Sequence, residues 1–163
     1  WQPTMDFMKN KKKILVVGGT GFIGYHLLKE TIRRGWSSTS ISLNAPIDFR
    51  IVESVNYVFA DITNKSELKK KILDDYDYVV NLGGYPDHSI LNVGGEKIIK
   101  NHFDAVINLI TLTSSKNLKK FIQIGSSDEY GQVEAPQSET YREQPISPYS
   151  VAKAASTHLI QML

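Results

Sequence analysis

The sequence predicts an α/β fold, a doubly wound parallel sheet, and three observations carry that reading. Short apolar runs alternate along the chain with longer helical patterns. A glycine-rich turn, "VVGGTGFIG" (residues 16–24), follows the first apolar run directly and leads into the first helical pattern. Each strand candidate is separated from the next by a crossover, and right-handed crossovers build a parallel sheet with helices on both faces.

Residues 13–17, "KILVV", form a buried-type strand, and residues 22–34, "FIGYHLLKETIRR", form a helix that Gly35 stops. Residues 39–43, "TSISL", and 55–60, "VNYVFA", are the second and third strands; residues 44–54 between them carry no convincing helix. A helix over 65–73, "KSELKKKIL", precedes the fourth strand at 78–82, "YVVNL". A long helix covers roughly 93–115, with Ile99, Phe103, Val106 and Ile110 at 4-3-4 spacing on one face. The fifth strand is 120–125, "KFIQIG", and a polar, proline-containing loop leads to a last helix near Pro148. The domain therefore occupies 13–163, after a tail at 1–12 that opens with the aperiodic "WQPTMDFMKN". The chain stops inside its last helix without a glycine or capping signal, so the expectation is the N-terminal part of a longer protein.

A length of 163 residues suits one domain with a sizeable core, or one lobe of something larger. Apolar content of 41% and charged content of 22% are ordinary for a soluble globular protein, and a net charge of +2 gives no mandate for nucleic acid. The basic run Lys9, Lys11, Lys12 and Lys13 reads as a solvated flank. The absence of cysteine excludes disulfides, thiol nucleophiles and cysteine-ligated metals, and fits a reducing, cytoplasmic setting. No apolar run approaches the ~20 residues of a membrane span, and no secretory signal is visible. His26, His88, His102 and His158 form no pair at metal-ligand spacing, so no metal is expected.

The glycines have a physical purpose in this context. Gly18, Gly21 and Gly24 form G-x-x-G-x-x-G between the first strand and first helix. There Gly18 permits the turn, Gly21 lets the backbone approach a pyrophosphate, and Gly24 lets the helix pack closely. The helix N-terminus adds unpaired N–H donors and partial positive charge. A dinucleotide is the ligand this predicts. The second strand ends in Ser42 and Asn44 rather than the acid that would hold ribose hydroxyls, and Arg50 is the nearest arginine. NAD and NADP both stay open. Asp61, after the third strand, is either an adenine contact or a cap for the following helix.

Tyr149 and Lys153 stand four apart in "YSVAK", with Ser147 as helix cap and Pro148 in the first turn. That spacing puts phenol and ammonium on one face. A free phenol, with a pKa of about 10, is a poor base at neutral pH, and a neighbouring ammonium favours the phenolate. The fifth strand ends in "IGSSDEYG", placing Ser126 and Ser127 where active-site groups of such sheets sit, although turn chemistry explains a serine pair equally.

"GGTGFIG", "GSSDEYG" and "SPYSVAK", in this order, resemble the extended short-chain dehydrogenase/reductase family, the NAD-dependent epimerase/dehydratase type. More narrowly, they are similar to its nucleotide-sugar epimerases, 4,6-dehydratases and 4-ketoreductases. The likeness runs from about Lys13 to the end and takes in "YVVNLGG", Asn101, Glu139 and Pro145. It implies that Tyr149 is the acid/base, Lys153 its modulator and ribose anchor, and Ser126 the hydroxyl partner. The implied cofactor contacts are Gly18, Gly21, Phe22, Ile23 and Gly24 at the loop, with Asn44, Asp61 and Ile62 at the next strand ends. Leu82, Gly83 and Gly84 follow along the cofactor, together with Tyr149 and Lys153. Hydride then passes between a sugar carbon and nicotinamide while Tyr149 moves the hydroxyl proton.

Family dehydratases resembling this chain carry a glutamate two residues before the loop tyrosine. Here Asp128 holds that position, either as a general acid or as a solvated loop carboxylate, and Glu129 is shifted by one and expected to point elsewhere. Thr157 stands where the family usually has glutamate. The resemblance thus implies an epimerase or 4-ketoreductase acting on a nucleotide-diphosphate sugar. A 4,6-dehydratase, or a dinucleotide-binding sensor or scaffold without catalysis, is the alternative. The small C-terminal substrate lobe of the family is missing from the sequence, and a homodimer through the long helix and the Tyr/Lys helix is the expected assembly.

Overall fold

The structure, a computed structural model, describes residues 11–163. The expected tail segment 1–10, including Lys9, lies outside the described residues. Five parallel strands form one sheet: β1 (Lys13–Val17), β2 (Ser37–Ser42), β3 (Asn56–Phe59), β4 (Tyr78–Asn81) and β5 (Lys120–Gln123). Their order is β3-β2-β1-β4-β5. The chain runs outward from β1 to β3 and then returns to the other side of β1. The crevice outside the carboxyl ends of β1 and β4 is therefore the topological switch point, where such sheets bind ligands.

Register sets the strand ends level. Val17 lies opposite both Ile41 and Asn81, and Asn81 lies opposite Gln123. Alternation along β1 feeds two cores, one on each face of the sheet. Leu15 and Val17 join Ile41, Leu68, Val79 and Leu109 on one side, while Ile14 and Val16 join Leu28 and Val80 on the other. Helix α1 (Phe22–Arg33) contributes Leu28, and α2 (Lys65–Lys71) contributes Leu68. Asn64 caps α2 by accepting the Glu67 N–H at 3.1 Å, and Lys69, Lys70 and Lys71 fill its last turn, where the helix dipole is negative. The basic flank is surface, as expected: Lys13 pairs with Asp74 at 3.1 Å, and Lys12 lies over the Trp36 ring.

The strands begin and end within a residue or two of expectation, and a short 3₁₀ turn at Asp48–Arg50 occupies the stretch without a helix. The long helix is corrected. Left-handed Gly94 precedes it, so it begins as α3 (Gly95–Ile99), passes through a π-helical turn (Lys100–Asp104) and continues as α4 (Ala105–Thr113). Its buried side is Ile98, His102, Ala105, Val106 and Leu109, so of the expected face Val106 is buried, whereas Ile99, Phe103 and Ile110 are only half-buried. The apolar band is wider than one stripe, and packing chose the neighbouring line of residues. Helix α5 (Pro148–Met162) packs on α3, the π turn and β5. Among the described residues no helix is long and apolar enough to cross a membrane.

Candidate active site

Two adjoining clefts open at the carboxyl edge of the sheet. The larger, about 440 Å³, is bounded by Gly18 and Gly21 after β1, Ser42 and Asn44 after β2, and Asp61 and Ile62 after β3. The smaller, about 120 Å³, is bounded by Gly125 after β5 and by His102, Tyr149 and Lys153. Leu82, Gly83, Gly84 and Tyr85 line both, so the loop after β4 joins them into one groove.

The glycine loop is built as the turn requires. Gly18 has φ +78° and donates its N–H to the Ile41 carbonyl at 2.8 Å. A Cβ there would also sit 3.1 Å from the Leu82 carbonyl group. Gly24 is the contact glycine: an added Cβ would strike the Gly18 carbonyl oxygen and the Gly19 backbone, which shows that α1 packs on the loop itself. Gly21 is the N-cap of α1 with no side-chain cap, and Phe22 and Ile23 point outward, 64% and 61% exposed. The N–H groups of that first turn are left facing the loop, a cradle for a diphosphate. Arg50 lies over the Phe22 ring, with 5.8 Å from its guanidinium to the centroid.

Asp61 does not cap α2, a role that Asn64 takes; its carboxylate closes a turn by accepting the Thr63 N–H at 2.8 Å and the Thr63 hydroxyl at 2.7 Å, and it still edges the cleft. Asn81, which the sequence reading missed, is 98% buried. It accepts the Gly83 N–H at 3.0 Å and donates to Gln123 at 2.8 Å, which fixes the loop after β4.

Tyr149 and Lys153 rise from the start of α5, where Ser147 accepts the Ser150 N–H at 3.1 Å and Pro148 takes the first helical position. Both side chains are buried, and the Lys153 ammonium donates to the Ile124 carbonyl at the end of β5. Burial pushes the Lys153 ammonium below its ordinary range, and the negative charge of Glu129 opposes that fall. The Tyr149 ring stands between two histidines that sequence reasoning had set aside. His102 meets it edge-on at 4.9 Å and His88 at 5.6 Å. His102 comes from the π turn, is fully enclosed, and donates Nε2–H to the Tyr85 carbonyl at 2.9 Å. Its ring fills the space a Cβ on Gly84 would need. A histidine one residue after Asn101 was a visible signal; only the π turn aims it at Tyr149.

Ser126 performs the turn role: its hydroxyl accepts the Asp128 N–H at 3.2 Å and caps a 3₁₀ turn at Ser127–Tyr130. Asp128 lies 3.6 Å from His88 and so reaches the Tyr149 side of the groove. Glu129 points elsewhere than the cleft linings, turning back to accept the Ser126 N–H at 2.8 Å in a capping box. Among the described residues no cluster of three or more candidate ligands could hold a metal ion.

Comparison with known proteins identifies relatives that share this fold. The family model described as "NAD dependent epimerase/dehydratase family" matches residues 14–163. The bifunctional UDP-glucose 4-epimerase and UDP-xylose 4-epimerase 1 of Pisum sativum is 25% identical over 158 residues, covering 88% of this chain and 45% of that protein. The dTDP-D-glucose 4,6-dehydratase of Dictyostelium discoideum is 26% identical over 172 residues, covering 92% of this chain and 40% of that protein. Among solved structures, UDP-glucuronic acid 4-epimerase from Bacillus cereus, in complex with UDP-glucuronic acid and NAD, superposes with a TM-score of 0.78 at 27% identity. That match covers 92% of this chain and 51% of the other. The chain thus spans about half the length of the relatives it matches.

Proposed function

The chain belongs to the NAD-dependent epimerase/dehydratase family, and from that membership we propose that it is the dinucleotide-binding and proton-transfer part of an enzyme acting on a nucleotide-diphosphate sugar. The observation that carries the reading is the continuous groove from the glycine loop to Tyr149, joined by the residues after β4. NAD-bound and UDP-sugar-bound relatives support it.

The cradle fits a dinucleotide. Gly18, Gly21 and the first-turn N–H groups of Phe22 and Ile23 would hold its diphosphate beside Gly24, and Asn44, Asp61 and Ile62 would serve the adenosine. Leu82, Gly83 and Gly84 would receive the other half. When bound, the nicotinamide supplies the hydride acceptor and donor. Everything else falls to side chains. Tyr149 takes the proton of a sugar hydroxyl through its phenolic oxygen, or returns it to a ketone. Lys153, a turn later on the same helix face, supplies the positive charge. Ser126, whose hydroxyl oxygen accepts the Asp128 N–H in the turn after β5, keeps its own O–H to donate to the sugar oxygen as the hydroxyl partner. This is the chemistry of a 4-epimerase or 4-ketoreductase.

A second reading has one observation in its favour. Asp128 and His88 stand together beside Tyr149, a carboxylate and an imidazole on the open side of the groove, as proton abstraction from carbon in a 4,6-dehydratase needs. The half-buried Ile99, Phe103 and Ile110 along the long helix suit pairing of two copies.

Tyr149→Phe tests the assignment. With an NDP-hexose and the full-length protein, turnover should fall at least 100-fold, the low end of general acid–base contributions of roughly 10²–10⁴. Dinucleotide affinity measured by calorimetry should change little. Retained turnover in this variant would reject Tyr149 as the acid/base, and hydride exchange with an NDP-hexose rules out the sensor alternative.

A further inference from the structure

Glu129 is an acidic residue on a loop, yet it is only 4% exposed. Its Oε1 accepts the Ser126 N–H at 2.8 Å. A Cβ built on Gly125 would lie 3.0 Å from that oxygen and 3.8 Å from the Thr157 hydroxyl oxygen. The carboxyl group is therefore tucked under the end of β5, against α5. A buried carboxylate with one backbone donor is costly unless a positive charge stands near.

Helix α5 supplies one. Its single lysine is Lys153, 6% exposed, and Thr157 is one turn further along the same side. The Lys153 ammonium donates to the carbonyl of Ile124, the residue immediately before Gly125. Ammonium and carboxyl thus converge on one stretch of backbone, residues 124–126. The other titratable groups around Lys153 are Tyr149 on its own helix and His102 from the π turn; His158 faces Glu143 instead, at 3.4 Å. Glu129 is the negative charge acting on the ammonium.

We propose that Glu129 is a positioning residue for the proton-transfer pair. Its carboxylate compensates the buried Lys153 ammonium, and the same group fixes the Ser126 backbone at the end of β5. The inference rests on the reading of Tyr149 and Lys153 as that pair, but the charge interaction it requires is measurable without turnover.

Glu129→Gln separates charge from shape, because glutamine at this position still completes a capping box. The expected result is a loss of Lys153 proton affinity of about tenfold or more, read by pH titration of the lysine side-chain signal in heteronuclear NMR. An unchanged Lys153 titration in the folded variant overturns the proposal. Should the variant not fold, Glu129→Asp decides: its shorter side chain draws the charge away from the ammonium, so the Lys153 proton affinity should fall by about twofold or more. A Lys153 titration unchanged from wild type overturns the proposal equally. Calorimetry with NAD and NADP on the same sample keeps the two ideas apart. Failure to bind either sinks the functional reading, while the Lys153 titration alone decides the role of Glu129.

Discussion

His102 carries the pH dependence at the scale of single residues. Burial pushes its imidazole below the ordinary 6.5, the hydrogen bond to the Tyr85 carbonyl opposes this, and the Lys153 charge adds to the fall. As pH drops below the unfolded value, the unfolded chain takes a proton that the folded chain resists. The contribution to stability is complete above 6.5 and is lost as pH falls toward the folded value. Denaturation midpoints should therefore decline from about pH 7 to about pH 5. His102→Gln, which keeps a donor for Tyr85 but does not titrate, should flatten that decline. An equal slope in both proteins would assign the effect elsewhere. Tyr149, Lys153 and Ser126 were legible as residue types at telling spacings. The two histidines against Tyr149 were not, because nothing in sequence ties His88 or His102 to a residue fifty or sixty positions away.

Among the elements, the glycine turn and α1 act as one unit. The α1 backbone sits on the loop so closely that a methyl group at position 24 would meet the Gly19 Cα at 2.5 Å. Gly24→Ala should then cost about 1–3 kcal/mol, as overpacking against backbone does, and weaken dinucleotide binding by shifting the loop. Urea denaturation and calorimetry on one preparation check both, and unaltered stability would mean that the helix can slide away. The long helix teaches the reverse lesson. Its existence was readable from periodicity, but its face was not: Ile98 and Ile99, or His102 and Phe103, are both plausible inward positions. The π turn and the contacts with α5 settled the choice.

Across the whole molecule, one groove gathers the ends of every strand. A dinucleotide lying in it would hold together segments spread from Gly18 to Lys153. At about 100 times its Kd such a ligand adds about 2.7 kcal/mol, which for a domain of this size raises the thermal midpoint by about 5–10 °C. Differential scanning calorimetry with NAD and NADP in turn measures this, and no rise with either would remove the cofactor from the proposed function. The β5 edge leaves Ile122 and Ile124 43% and 42% exposed, so this side of the sheet is less covered than the β1 centre.

The sequence by itself determined the alternation of strands and helices, the glycine turn after β1, and the Tyr/Lys spacing on α5. All of these are local patterns, set by the period of a helix or strand and by the steric demands of one turn. Tertiary structure alone decided that Glu129 turns inward toward Lys153, that His88 and His102 flank Tyr149, and which side of the long helix is buried. Those outcomes depend on which side chains meet across the sheet edge, and burial, charge pairing and close packing between distant segments have no signature in the order of residues along either one.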